Sequence, residues 1–364
     1  MKKSISLFTG FLILICNLSF ANPLFFDQPE CSIKNPTFSD QAVLFTGNAN
    51  IPLATKVASH LGIALGQAEV TKFNDGEIQI HIKESVRNKD VYILQSNCLS
   101  ESQSINDNLM ELYLLVRTMK RSSAASITAI IPYYGYARQD RKSSPRVPIS
   151  AADVALLLET AGIDRVVTVD LHCGQIQGFF HNAPVDNLFA SSLFLSHFAA
   201  KELNNIVIVS PDAGGVERAK KFSDSLNSIG IATDMAIISK QRAKAGVVES
   251  MNLIGDVFGA DAIIIDDLCD TAGTLVKAAK LIKDSGANRV FAVVTHPVFS
   301  GNALEKIKNS VIEEMVITDT IPLRDTAPSN IHCISVAPLI AEALSRIQHG
   351  DSVSDLFLSD AVID

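Results

Sequence analysis

A chain of 364 residues is long enough for two domains with a sizeable core. Hydrophobic residues make up 47% and charged residues 19%, which excludes a largely disordered chain. The net charge of −8 argues against a nucleic-acid partner, which would want a basic face, so any phosphate chemistry must gather positive charge locally or borrow it from a metal ion.

The chain opens with Lys2 and Lys3, and no further charge follows before Asp27. An apolar run over 11–15 leads to Ser19-Phe20-Ala21, with small residues three and one positions before a cleavage point. This is the layout of a secretory signal cleaved after Ala21, too short for a comfortable membrane span, and no other stretch could cross a bilayer. The six cysteines (Cys16, Cys31, Cys98, Cys173, Cys269 and Cys333) have no paired spacing. Neither a disulfide framework nor a zinc site is expected from them, and they favour a reducing compartment. The cysteines and the N-terminus point in opposite directions.

Beyond a lead-in, short apolar runs alternate with amphipathic stretches. The pattern predicts a strand over 43–45, a helix over 52–61, a buried strand over 91–94 and a helix over 108–120. A strand over 127–131, a helix over 151–161 and a strand over 166–169 follow. The second half repeats the rhythm, with strands over 206–209, 235–238, 262–265 and 290–294 and helices over 216–229 and 274–284. Strands that are apolar throughout, alternating with helices, mark parallel sheets covered on both faces. The expected fold is α/β, with an extension over 1–40, one domain over 41–187, a second over 188–345 and a tail over 346–364; the division falls near 186–191, where nothing resembles a flexible linker.

Residues 262–274 carry the strongest local signal: an apolar strand, the acids Asp266 and Asp267, then Asp270, Thr271, Ala272, Gly273 and Thr274 leading into a helix. Free amides at such a helix start form an anion site, the threonines add donors, and the small residues let a phosphate approach. The two acids would repel a phosphate and suit ribose hydroxyls or a hydrated magnesium ion; the alternative is that they cap the helix. A second loop, Ser210-Pro211-Asp212-Ala213-Gly214-Gly215, has glycines that can wrap a diphosphate and an acid that can reach a metal bridging it. No P-loop, dinucleotide fingerprint or protein-kinase motif set is present. A nucleotide would have to use weaker segments, an aromatic face with acids at Phe73, Asp75, Gly76 and Glu77, and a guanidinium at Arg138 beside Gln139. By themselves these read equally as an Asp-Gly turn and an aromatic surface patch.

The 262–274 segment resembles the PRPP signature shared by phosphoribosyltransferases and ribose-phosphate pyrophosphokinases. Residues 169–180 with His172, the loop at 210–215, the segments at 73–77 and 133–140, and Lys240-Gln241-Arg242 resemble the pyrophosphokinases alone. The likeness runs over about 44–346 and includes 106–112, 295–301 and 319–323. It implies two phosphoribosyltransferase-like domains and transfer of the β,γ-diphosphate of ATP to the C1 hydroxyl of ribose 5-phosphate, giving PRPP and AMP. It further implies Mg2+ at His172 and Asp212, a diphosphate on Asp212 to Gly215, and ATP on Phe73, Asp75, Gly76, Glu77, Arg138 and Gln139. Ribose 5-phosphate would lie on Asp266, Asp270 to Thr274 and Arg242, while Lys240 and Arg242 would act as catalytic cations on a mobile loop. A homo-oligomer, commonly a hexamer, is implied, with no stable membrane association. Departures are Ala272 where many members have glycine, Cys173 after the site histidine, and Ser143-Ser144-Pro145 in a usually more basic loop, which in the family belongs to a region tied to subunit contacts and to regulation by phosphate and ADP. A PRPP-consuming transferase would have no use for the ATP segments, and a non-catalytic regulatory homologue would have lost cations or acids that are present here. Cytosolic substrates and oxidisable thiols beside the site favour the cytoplasm, against export through the N-terminal signal.

Overall fold

A computed structural model of the chain describes residues 38, 40–241 and 250–357, and for residues 240, 241 and 250 the backbone alone. The expected signal segment, Arg242 and the last residues of the tail therefore lie outside the described residues.

The first half runs β1 (Ala42–Thr46), α1 (Ile51–Leu61), β2 (Ala68–Lys72), β3 (Ile78–Ile82), β4 (Asp90–Leu94), α2 (Ile105–Arg121), β5 (Ser126–Ile131), α3 (Ser150–Ala161), β6 (Arg165–Val169) and β7 (Val185–Leu188). Strands β1-β4-β5-β6-β7 form a parallel sheet in that order, while β2 and β3 make a separate antiparallel hairpin. The second half runs α4 (Ser191–Ala199), β8 (Ile206–Ser210), α5 (Val216–Ser228), β9 (Thr233–Gln241), β10 (Ser250–Ile254), β11 (Asp261–Cys269), α6 (Gly273–Asp284), β12 (Arg289–Pro297), α7 (Ala303–Lys308), β13 (Glu314–Thr318), β14 (Ile331–Ile334) and α8 (Ala337–His349). Its sheet has the order β10-β9-β8-β11-β12-β13-β14, parallel except at the β9–β10 edge.

Both faces of each sheet are buried, so the strands read as apolar throughout. In β4, Val91 and Ile93 enter one core with α2 and α3, while Tyr92 and Leu94 enter another with α1. In β11, Ala262 and Ile264 pack under α6, and Ile263 and Ile265 join the core that also holds Leu44, Tyr92 and Val167. That core crosses from one sheet to the other, with α1 and α8 packed together inside it. The helix starts follow local chemistry: Asn50 accepts the Leu53 amide to cap α1, and Ser104 with Asp107 closes a reciprocal capping box on α2.

Two expectations change. The strand expected to end at 265 continues through Cys269, so Asp266 and Asp267 lie on β11, in register with the Val294 end of β12, rather than in the turn. Lys240, expected on a loop, has its backbone in β9 opposite Met251 of β10. The span 186–191, where the division is expected, runs from within β7, an edge strand of the first sheet, to the first residue of α4, and the boundary at 187/188 lies inside β7. Among the described residues no helix is long and apolar enough to cross a membrane.

Candidate active site

The carboxyl ends of the parallel strands are where an open α/β sheet leaves a crevice for a ligand. Here the loops leaving β1, β4 and β6 of the first sheet meet the carboxyl end of β12 and the loop leaving β13 of the second. Asn50 Nδ2 donates to the Asp319 carbonyl at 2.8 Å, and Ser96 Oγ donates to the Thr320 carbonyl at 2.6 Å. Asp170, buried after β6, accepts the Thr295 hydroxyl at 2.7 Å, and its carbonyl lies 3.1 Å from Nε2 of the buried His296. Burial pushes His296 toward its neutral form. The segments at 295–301 and 319–323, which carried no assigned chemistry in the sequence, thus contribute to the seam between the sheets.

On that seam, β11 turns into α6. Ala272 holds φ 58° at the N-cap and supplies no side-chain cap, so the alternative that nearby acids or hydroxyls cap this helix does not hold for the N-cap position. The loop is braced from behind: Phe299 and Ser300 amides donate to the Cys269 and Asp270 carbonyls at 3.0 Å, and Lys306 Nζ donates to the Thr271 carbonyl at 2.9 Å. Thr271 and Thr274 are exposed and Gly273 is half-buried, which suits a loop presented to an anion at a helix N-terminus. Cys269 is buried, and desolvation pushes its thiol up to about 12.

The adjacent acids have unequal surroundings. Asp267 is buried; His172 Nδ1 donates to its Oδ2 at 2.7 Å, and Arg218 Nη1 stands 3.3 Å from its Oδ1. Burial alone would raise this carboxyl, but the His172 bond and the Arg218 charge hold it below the usual range. Asp266 is half-buried, takes the Asp267 amide at 2.9 Å and lies 3.9 Å from Arg218; burial and the neighbouring Asp267 charge raise it well above the ordinary value. Arg218 was not among the residues drawn from the sequence. The signal available was its position: a cation in the first turn of α5, where the helix dipole prefers an acid.

The loop at 210–215 is closed on itself. Asp212 Oδ1 accepts the amides of Gly214 and Gly215 at 2.8 and 3.0 Å, and Ser210 Oγ donates to the Asp212 carbonyl at 2.6 Å. A Cβ at Gly215 would stand 2.9 Å from Ser210 Oγ, so a side chain there would displace the hydroxyl that closes the turn. The amides expected to hold a diphosphate are thus occupied by Asp212, whose Oδ2 is left for another ligand. Asp212, Ala213 and Gly214 are exposed.

Arg138 reaches across the seam: its Nη1 lies 2.7 Å from Asp270 Oδ2. Gly135, just before it, is pressed on the Asn97 backbone, where a Cβ would meet the Asn97 carbonyl at 2.5 Å. Gln139 bonds the Ser150 hydroxyl at the start of α3 and accepts the Ala151 amide at 3.2 Å. Phe73, Asp75, Gly76 and Glu77 form the tip of the β2–β3 hairpin, closed by Phe73 and Glu77 at 2.8 Å, with Phe73 51% exposed. Among the described residues no hydrogen bond or ion pair joins this tip to Arg138 or to residues 266–274. The Lys240 side chain and Arg242 lie outside the described residues.

A metal must be judged against this set. Among the described residues no three acidic, histidine or cysteine side chains converge as a metal cage. Mg2+ commonly keeps waters and takes one or two protein ligands beside substrate phosphates, and a donor set of His172, after β6, and Asp212, in the 210–215 loop, is compatible with it. The Asp267 bond to His172 Nδ1 leaves Nε2 for such a role.

Two family profiles match the chain: the N-terminal domain of ribose phosphate pyrophosphokinase over 42–162, and the phosphoribosyl synthetase-associated domain over 236–358. A ribose-phosphate pyrophosphokinase of Wolinella succinogenes is 52% identical over 315 residues, 86% of this chain and 98% of the relative. One from Campylobacter jejuni is 51% identical over 315 residues with the same coverage. The crystal structure of phosphoribosylpyrophosphate synthetase from Mycobacterium smegmatis superposes with a TM-score of 0.79 at 39% identity, over 85% of this chain and 99% of that one. With its PRPP-type loop, its seam and these matches, the chain belongs to the ribose-phosphate pyrophosphokinase family.

Proposed function

We propose that the chain transfers the β,γ-diphosphate of ATP to the C1 hydroxyl of ribose 5-phosphate, releasing AMP and supplying PRPP for nucleotide biosynthesis. The observation that carries this reading is the 2.7 Å pair between Arg138, from the expected nucleotide segment, and Asp270, from the expected ribose-phosphate loop. It supports the reading because the two segments expected to carry the substrates would then lie side by side at the carboxyl edges of both sheets. Residues 41–187 are read as the ATP half and 188–345 as the ribose 5-phosphate half.

In this reading the 5-phosphate rests on the amides and hydroxyls of Asp270 to Thr274, and Asp266 takes ribose hydroxyls. Arg138 and Gln139 meet the nucleotide, with the hairpin tip from Phe73 to Glu77 against the base. The amides of Gly214 and Gly215 receive the diphosphate once Asp212 turns from them toward a cation. His172 and Asp212 would hold Mg2+, which when bound supplies charge neutralisation for the diphosphate. Lys240 and Arg242 would stabilise charge developing on the transferred group, the one as a point charge and the other as a fork. The chain would act in the cytoplasm as a homo-oligomer. Incubating purified protein with ATP, ribose 5-phosphate and Mg2+ tests the reading. AMP and PRPP should appear in equal amounts, and AMP or ADP without PRPP would overturn it.

A further inference from the structure

Three elements converge on one carboxylate. Asp267 on β11 is 4% exposed, and it is gripped from both sides: by His172, from the loop after β6, and by Arg218, from the first turn of α5. The His172 side chain is 36% exposed, so one edge of its ring is tied inward while the other is open to the site. A histidine ligates a metal through one ring nitrogen only if the hydrogen sits on the other, and the partner of that other nitrogen decides the matter. Asp267 as an anion can only accept, so Nδ1 carries the hydrogen, and in the neutral ring that a metal requires Nε2 then presents its lone pair. A buried carboxylate in turn needs a compensating cation, and Arg218 supplies it on Oδ1. The same guanidinium lies 3.9 Å from Asp266, so a single side chain spans both acids of the pair.

We propose that Arg218 is a positioning residue: it anchors Asp267, which fixes the His172 ring with Nε2 presented to the divalent cation of the metal–diphosphate substrate. Asp267 then orients the histidine, and Asp266 is left for the sugar. This rests on the reading of His172 as a metal residue, and the test separates the two ideas. Mn2+ affinity is measured by electron paramagnetic resonance on the full chain with α,β-methylene-ATP present, for wild type, His172→Asn, Asp267→Asn, Arg218→Gln and Arg218→Lys. Outer partners of metal-bound histidines are worth about 10–100-fold in metal affinity. Asp267→Asn should lose about that much, Arg218→Gln about tenfold, and Arg218→Lys, which keeps the charge, should recover most of it. Nitrogen NMR of 15N-histidine protein should find the Nδ1–H tautomer at His172 in wild type and a mixture in Arg218→Gln. If His172→Asn binds Mn2+ as wild type does, the metal reading falls and the inference with it. If His172→Asn weakens binding but Arg218→Gln matches wild type in affinity and tautomer, the inference alone is overturned. Should Arg218→Gln fail to fold, the lysine variant and Asp267→Asn decide by the same two readouts.

Discussion

Ala272 sits at φ 58°, in the left-handed region that favours glycine, and it is buried at the start of α6. Holding a non-glycine residue there costs on the order of 1 kcal/mol, whereas glycine adds a similar entropy to the unfolded chain. The two offset, so Ala272→Gly should change stability by less than about 0.5 kcal/mol in urea unfolding. Ala279→Gly, in the interior of the same helix, should cost about 1 kcal/mol or more; equal losses at the two positions would refute the strain argument. Glu111 is a different kind of residue. It is fully buried, and its carboxylate accepts the Asn48 amide at 2.6 Å, Asn48 Nδ2 at 2.9 Å, Gln95 Nε2 at 2.8 Å and Gln103 Nε2 at 3.0 Å. Glu111→Gln replaces an acceptor pair with one acceptor and one donor facing donors, and should destabilise by about 3 kcal/mol. Chemical denaturation checks it, and a loss under about 1 kcal/mol would mean that water or a rotated amide takes over the network.

At the scale of elements, α4 meets the β13–β14 edge through a charged cluster. His197 on α4 stacks on His332 of β14 at 4.9 Å, its Nε2 lies 3.1 Å from Glu314 of β13, and Lys201 pairs with the same glutamate at 2.7 Å. Burial lowers the His197 pKa, with Lys201 and His332 adding to the effect against Glu314. Below about pH 6.5 the unfolded chain therefore binds the proton more readily, and the folded state loses stability as pH falls. His197→Gln keeps an acceptor and donor without titrating. The fall in melting temperature between pH 7.5 and 5.5 should be smaller in the variant than in wild type, and an unchanged fall would remove His197 as its source. Which elements were legible in the sequence follows from the same physics. Strands buried on both faces, such as β4, β5 and β8, stand out as apolar runs, and so do the loops that follow them. The β2–β3 hairpin was missed because Glu69, Gln79 and His81 alternate with half-buried apolar residues, leaving no continuous run. The expected strand stopped short of the acids of β11 because the Arg218 charge and the His172 hydrogen bond that hold them come from distant segments. Arg218 itself reads as one charge among several on an amphipathic helix; only the tertiary fold brings it against the acids.

At the scale of the molecule, the described residues form one compact unit although they hold both large sheets. The reason is the core shared between them. Helix α8 belongs in sequence to the second half, yet Leu344 and Ile340 pack with Leu53 and Val57 of α1. Near its end Gln348 accepts the Tyr92 hydroxyl at 2.8 Å and donates to Asp90 at 3.2 Å, both on β4. A seam of this kind makes each sheet's stability depend on the other, so the two should unfold in one transition. The chain carries its own probe for this. It has no tryptophan, and its five tyrosines, Tyr92, Tyr113, Tyr133, Tyr134 and Tyr136, all lie in the first half. Tyrosine fluorescence therefore follows the first half and, through Tyr92 and Tyr133, its seam with the second, while far-ultraviolet circular dichroism follows both halves throughout. The two urea curves should coincide in wild type. In Leu344→Ala, which opens a cavity in the fully buried contact of α8 and costs about 2–5 kcal/mol, both should shift together to lower urea. A tyrosine curve that stayed in place while the dichroism curve moved would mean that the second half unfolds alone and that the shared core does not couple the sheets.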